Sequence, residues 1–157
     1  MIRKVLFIVS ILVFQGFTVF SQGYVLKVKD AEGKPGENIT VTLEIINESP
    51  IVAFQLDIPL PMGFEYVQNS CALVNTRSQG HMIQANTLSE TRILRMIAFS
   101  LSNANFTEDK GAIATFVLKT PEIEGTFPLE LKEAIIADIR AKNLITGTVN
   151  GKVKLSK

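Results

Sequence analysis

Residues 33–60 read GKPGENITVTLEIINESPIVAFQLDIPL, and the order of turn and strand signals within them identifies the class of backbone. Pro35 presets φ for a turn, and Gly33 and Gly36 tolerate conformations that other residues resist, so the chain reverses there. Ile39, Val41, Leu43 and Ile45 then alternate with Thr40, Thr42 and Glu44, and a period of two puts every second side chain on one face of an extended strand. After a break at Asn47, Ser49 and Pro50, the residues Val52, Phe54, Leu56 and Ile58 alternate against Ala53, Gln55 and Asp57. Pro59, Pro61 and Gly63 close this second strand, because proline has no N–H to give a ladder.

The same period extends outward in both directions. Residues 24–29 carry Leu26 and Val28 on one face, and 127–131 alternate Phe127, Leu129 and Leu131 with polar neighbours. Weaker strand signals cover 64–67, 72–76, 81–88, 135–139 and 152–156; the β-branched content of 133–142 favours strand over helix there. Residues 102–111 form a polar loop. About nine or ten short strands separated by Gly, Pro and Asn turns predict an all-β protein, a two-sheet antiparallel β-sandwich with jelly-roll topology.

Residues 1–21 stand apart. Arg3 and Lys4 precede an apolar run at 5–14, and Val19 and Ser21 occupy the small-residue positions before a cleavage point, the arrangement of a cleavable signal peptide. Ser10, Gln15, Gly16 and Thr18 interrupt the run, which falls short of the roughly 20 apolar residues a membrane span requires. The reading is export to the exterior, the cell surface or the periplasm, with no membrane insertion afterwards and residues 22–157 as one domain. Cleavage removes two basic groups, leaving 14 Lys and Arg against 15 Asp and Glu. That balance offers no attraction to nucleic acid or anionic lipid. The single cysteine, Cys71, cannot form an internal disulfide and reads as a small apolar residue rather than as a nucleophile served by the only histidine, His81.

Chemistry finds no foothold in the spacing. Asp57, Glu65, Asp109 and Asp138 are scattered, without the paired carboxyls of a glycosidase, and no phosphate loop, zinc spacing or nucleophile motif occurs. Oxygen-bearing side chains at 103–109 resemble a calcium loop only superficially, since the central Gly and terminal Glu are missing and Asn, Thr and Asp favour turns in their own right. The expectation is no enzyme, no metal and no cofactor. The sequons at Asn38, Asn47 and Asn105 read as chance. Sugar-binding sandwiches stack their ligand on aromatic strips, whereas this chain has no Trp and most of its Phe fall at inward positions.

Two strands are apolar on both faces. Residues 92–101 set Ile93, Ile97, Phe99 and Leu101 against Leu94, Met96 and Ala98, and residues 112–119 set Ala114, Phe116 and Leu118 against Ile113, Thr115 and Val117. A strand of this kind is central or lies beneath a partner. With Ile97, Phe99, Phe116 and Leu118 assigned to the core, Leu94, Met96, Ile113 and Val117 would face outward, with Gln55, Asp57 and Thr115 as a polar rim. These seven residues are the candidate partner-binding set.

Three segments carry a family resemblance: LKVKDAEGKPGENITVTL at 26–43, AFQLDIPLPMGFEYV at 53–67 and KGAIATFVLK at 110–119. In this order and spacing they resemble the cohesin family, in particular its secreted Bacteroidetes-type members, over nearly all of residues 22–157. The resemblance implies a nine-stranded jelly roll related to carbohydrate-binding modules, with one sheet presented to a dockerin, a small helical module that brings its own calcium. The chain departs from the cellulosomal pattern where polar partner-contacting residues precede the second strand; here that lead-in is Ile51, Val52 and Ala53. The implied function is a secreted, noncatalytic binding module for a dockerin-like protein partner or for surface-complex assembly, in polysaccharide utilisation. Two readings stand beside it, a glycan-binding module and the structural subunit of a surface fibre.

Overall fold

The computed structural model describes residues 23–88 and 90–157; the expected export segment at 1–21 lies outside them. Among the described residues thirteen strands and no helix occur. In chain order they are β1 (Val25–Val28), β2 (Ala31–Gly33), β3 (Asn38–Ile46), β4 (Ala53–Pro59), β5 (Glu65–Tyr66), β6 (Ala72–Leu73), β7 (His81–Thr87), β8 (Ile93–Ser100), β9 (Lys110–Lys119), β10 (Gly125–Leu129), β11 (Lys132–Ala137), β12 (Gly147–Val149) and β13 (Gly151–Leu155). The all-β sandwich is as the sequence predicts. Its strand number is larger because β2 and β12 are three-residue pieces that periodicity cannot register, while the signals at 64–67 and 72–76 shrink to the two-residue strands β5 and β6.

One layer is the four-stranded sheet β11-β4-β8-β7, antiparallel throughout. The other is the six-stranded sheet β12-β1-β3-β9-β5, with β6 also on β9. A three-stranded sheet, β10-β13-β2, sends Leu129, Val153 and Leu155 into the same core. Two pairings, β1 with β12 and β13 with β2, are parallel. The strand expected through 135–139 ends at Ala137, where Asp138 Oδ1 accepts the main-chain N–H groups of Arg140 and Lys142 and turns the chain.

Between the layers, Val41, Leu43 and Ile45 of β3 meet Phe54, Leu56 and Ile58 of β4 in a common core, each almost fully excluded from water. Burial of an aliphatic or aromatic side chain of this size contributes roughly 1.5–3 kcal/mol. Residues directly opposite on paired strands share a face, so the inward set of β4 dictates that of β8. Phe54, Leu56 and Ile58 stand opposite Ala98, Met96 and Leu94, and all three of these partners are 0% exposed. This reverses the expected parity of the segment 92–101: Leu94 and Met96 belong to the core, and Ile97, Phe99 and Leu101 do not. In β9 the ladder with β3 steps from Leu43 opposite Ala114 to Glu44 opposite Ala112. Ile113 is the extra residue of that bulge and turns inward beside Ala114, correcting its assignment to the surface.

The start of β9, the end of β3 and the loops beside them are tied down by a buried arginine. Arg77 is 1% exposed and has no carboxylate bonded to it. Its guanidinium donates to the main-chain carbonyls of Thr107, Ile45, Gly111 and Glu108 and to Asn47 Oδ1, at 2.9–3.1 Å. Burial lowers its pKa, and the charges of Glu108 and Asp109 act in the opposite direction. The sequon asparagine Asn47 is thereby consumed inside the fold, its Nδ2 donating to Ser49 O. Replacing Arg77 by Met strands five acceptors. At about 1–3 kcal/mol for each buried group left unsatisfied, Arg77→Met is expected to remove about 3 kcal/mol or more of stability. A denaturant titration measures this, and an unchanged midpoint would contradict the staple role.

Candidate partner-binding face

The outer side of the sheet β11-β4-β8-β7 is organised in rows that cross all four strands. Gln84, Ile97, Gln55 and Ile135 are successive partners in the ladder and form the middle row. Asn86, Arg95, Asp57 and Lys132 form the row toward one end, polar throughout. Toward the other end Met82 pairs with Phe99 and Ala53 with Ala137, an apolar row. Leu101 and Ile139, which follow β8 and β11 at that same end, are 80% and 66% exposed. The face thus grades from charged to apolar over three rows. Among the described residues, five of the eight large apolar side chains exposed to solvent belong to it or to its apolar end.

Asp57 anchors the polar row. Arg95 Nε and Nη2 donate to its two carboxylate oxygens at 2.8 and 2.7 Å, a bidentate ion pair that fixes the guanidinium plane. The Asp57 side chain is 5% exposed, so the carboxylate expected to face a partner is instead covered by Arg95, itself 38% exposed. The carboxylate in turn raises the Arg95 pKa through that bond. What the polar end presents to solvent is a positioned guanidinium.

The outer side of the six-stranded sheet differs. Lys27 and Lys29 flank Glu44 at 3.5 Å each, and Thr40 and Thr42 continue the same row along β3. The segment between β5 and β6 crosses β9: Val67 N donates to Val117 O, and Ser70 Oγ accepts from Val117 N at 3.0 Å. Thr115 and Val117 lie half-buried on this second exterior. The seven expected site residues are therefore divided. Gln55 and Asp57 are on the four-stranded face, Leu94 and Met96 lie beneath it, Ile113 is in the core, and Thr115 and Val117 are on the opposite side of the sandwich.

Met82, Ile97, Phe99, Ile135 and Arg95 were missed, and a signal for them existed. Arg95 shares the parity of Ile93, Ile97 and Phe99. A charged side chain is rarely buried without a partner, so it marks that whole set as the exterior.

Cys71 and His81 do not meet. Cys71 Sγ lies 3.9 Å from Met96 Sδ, and burial pushes the thiol pKa up to about 11, which leaves it protonated and unreactive at neutral pH. His81 stacks on Phe106 with ring centroids 3.6 Å apart, and neither ring nitrogen makes a hydrogen bond. Burial lowers its pKa, while nearby main chain of Ala104, Gln79 and Val52 pushes the other way without reaching hydrogen-bond geometry. In the loop 103–109, Phe106 is buried in the core, Thr107 Oγ1 donates to Thr76 O at 2.6 Å, and Ser100 Oγ accepts from the N–H groups of Ser102 and Ala104. These are turn and docking bonds. Among the described residues no three His, Cys, Asp or Glu converge as a metal site.

A two-layer sandwich with an uncovered, graded sheet face defines a binding module, and comparison with known proteins identifies its kind. The family model for the Cohesin domain matches residues 24–155, and the chain belongs to the cohesin family, whose members are noncatalytic binding modules. The fold is similar to that of the cohesin of a type I cohesin–dockerin complex from Clostridium thermocellum, Coh-OlpA-Doc918, with a TM-score of 0.71 at 15% identity over 85% of this chain and 99% of that one. A non-cellulosomal cohesin from the archaeon Archaeoglobus fulgidus gives 0.68 at 16% identity, covering 86% and 92%. CaCohA2 from Clostridium acetobutylicum gives 0.67 at 19%, covering 85% and 92%. No curated protein matches the chain.

The His81 environment has a measurable consequence. The imidazole is held neutral in the fold, whereas in the unfolded chain it titrates near about 6.5. The stability associated with the neutral ring is complete above that value and is lost as pH falls toward the lower folded value. Melting temperature is expected to decline as pH drops below about 6.5, and His81→Phe to flatten that decline. Identical pH profiles for the two proteins would contradict it.

Proposed function

We propose that this chain is an exported, noncatalytic adaptor that receives a dockerin-type helical module on the outer face of β11-β4-β8-β7, within a surface complex serving polysaccharide utilisation. The observation that carries the reading is the row Gln84, Ile97, Gln55, Ile135 lying open between an apolar end and the Arg95–Asp57 pair. Protein interfaces combine an apolar centre with a polar rim in this way. Family membership supports the class of partner, since several similar cohesins were solved as complexes with dockerins. Export is supported by the charged and apolar pattern of residues 1–21. A glycan-binding reading draws less support, because Phe99, half-buried, is the one aromatic ring on the face.

Titration with a panel of calcium-loaded dockerin modules tests the partner. Ile97→Asp puts a charge at the middle of the face and is expected to weaken binding about 30-fold, roughly 2 kcal/mol, while leaving the melting temperature close to its original value. Failure of every module to bind, or binding indifferent to Ile97→Asp, overturns the reading. Export is tested separately. N-terminal sequencing of protein recovered outside the cell is expected to begin close after Ser21, and an intact Met1 there would exclude cleavage.

A further inference from the structure

Among the described residues β7 is the longest edge strand that carries no charge, proline or bulge, its own sequence complements itself, and residues 66–73 stand across a groove from it without bonding to it. The ladder between β7 and β8 sets which backbone groups are spare. Leu88 N donates to Ile93 O, which makes Leu88 and Ile93 a hydrogen-bonded pair, so in the alternation of an antiparallel ladder Met82, Gln84 and Asn86 also bond to β8. Ile83, Ala85 and Thr87 then point their N–H and C=O groups away from the sheet. None of these groups has a hydrogen-bond partner among the described residues. The edge borders a groove of about 380 Å³, with Tyr66, Asn69 and Cys71 on its far wall, so solvent reaches the strand.

Natural sheets blunt such edges with charge, proline, bulges, brevity or a covering segment. The other edges of this molecule use those devices. The opposite edge of the same sheet, β11, carries Lys132 and Glu133 and a register irregularity, and it is covered by residues 143–144: Leu144 N donates to Ile136 O, and Ile136 N donates to Asn143 Oδ1. β5, β6, β12 and β2 are two or three residues long, and β10 contains Pro128. β7, seven residues reading HMIQANT, has no Lys, Arg, Asp, Glu or Pro and no bulge in its ladder.

We propose that β7 pairs with β7 of a second copy of this chain, antiparallel about a two-fold axis at Gln84, to join two four-stranded sheets into one of eight strands. The register brings Ile83 opposite Ala85 of the other copy, each exchanging the spare N–H and C=O. It sets Gln84 against Gln84 and Met82 against Asn86 on the outer face, where a neutral strand meets its own copy without like-charge repulsion. Because β11 is covered and charged, growth stops at two, and the assembly is a closed dimer rather than a fibre. Its two outer faces lie side by side in one continuous sheet, so the dimer offers two docking faces on the same side.

Sedimentation of the exported protein across micromolar to millimolar concentration, with residue-resolved amide exchange at both ends of the range, tests this. A reversible monomer–dimer equilibrium is expected, with the amides of Ile83, Ala85 and Thr87 gaining protection as dimer forms. Gln84→Lys and Gln84→Glu are each expected to weaken self-association at least fivefold, and mixing the two variants to restore it, since opposite charges then face across the axis. A protein that stays monomeric throughout, an association that leaves those three amides unchanged, assembly beyond two copies, or two charge variants that fail to rescue each other would each overturn the proposal.

Discussion

The register of β4 between its two neighbours is the constraint on which the rest of this molecule depends. Phe54, Leu56 and Ile58 are buried against β3 across the sandwich, and a strand has only two sides, so Gln55 and Asp57 are held on the other. Through the ladders the choice propagates outward: Met96 and Leu94 must go in and Ile97 and Arg95 out, Gln84 and Asn86 follow on β7, and Ile135 on β11. A slip of one residue between β4 and β8 would bury Arg95 and expose Met96. Core packing and the composition of the outer face are therefore one decision.

The two exteriors of the sandwich differ in composition through the same logic. On the six-stranded side the outward residues of β3 are Thr and Glu, Glu44 is flanked by two lysines, and the segment carrying Ser70 lies across β9. On the four-stranded side the outward residues include Ile97, Phe99 and Ile135, and no described segment crosses them. An apolar surface left open in a protein whose core is already complete costs solubility without adding stability, which is why such surfaces mark interaction sites. The Arg95–Asp57 pair restrains the charged end of the face by bidentate geometry, so the guanidinium offered to solvent has a defined direction.

Polar groups inside the fold hold its loops rather than perform chemistry. Arg77 gathers carbonyls from β3, from Gly111 at the start of β9 and from the 107–108 turn, joining elements far apart in sequence through one planar donor. Cys71 and His81, the two side chains with chemical potential of their own, are each set against an apolar neighbour, Met96 and Phe106, and burial disfavours the thiolate of one and the imidazolium of the other.

Local pattern alone determined the class of backbone and most of the core. The alternation through 39–45 and 52–58, the turn at Pro35 and the proline stop after Ile58 are short-range signals, and they led to an all-β sandwich and, through three ordered segments, to the cohesin family. The short strands β2 and β12 were illegible because three residues hold no period, whereas β5 and β6 fall within the weaker signals at 64–67 and 72–76. Tertiary structure alone decided the face. Residues 92–101 are apolar on both sides, so hydrophobicity gives no parity, and the partner strand β4 had to supply it; at 112–119 a bulge, a property of the β3–β9 pair rather than of either strand, turned Ile113 inward. Which sheet a strand joins is likewise a long-range matter, and that is why Gln55 and Asp57 came to lie on one exterior while Thr115 and Val117 lie on the other.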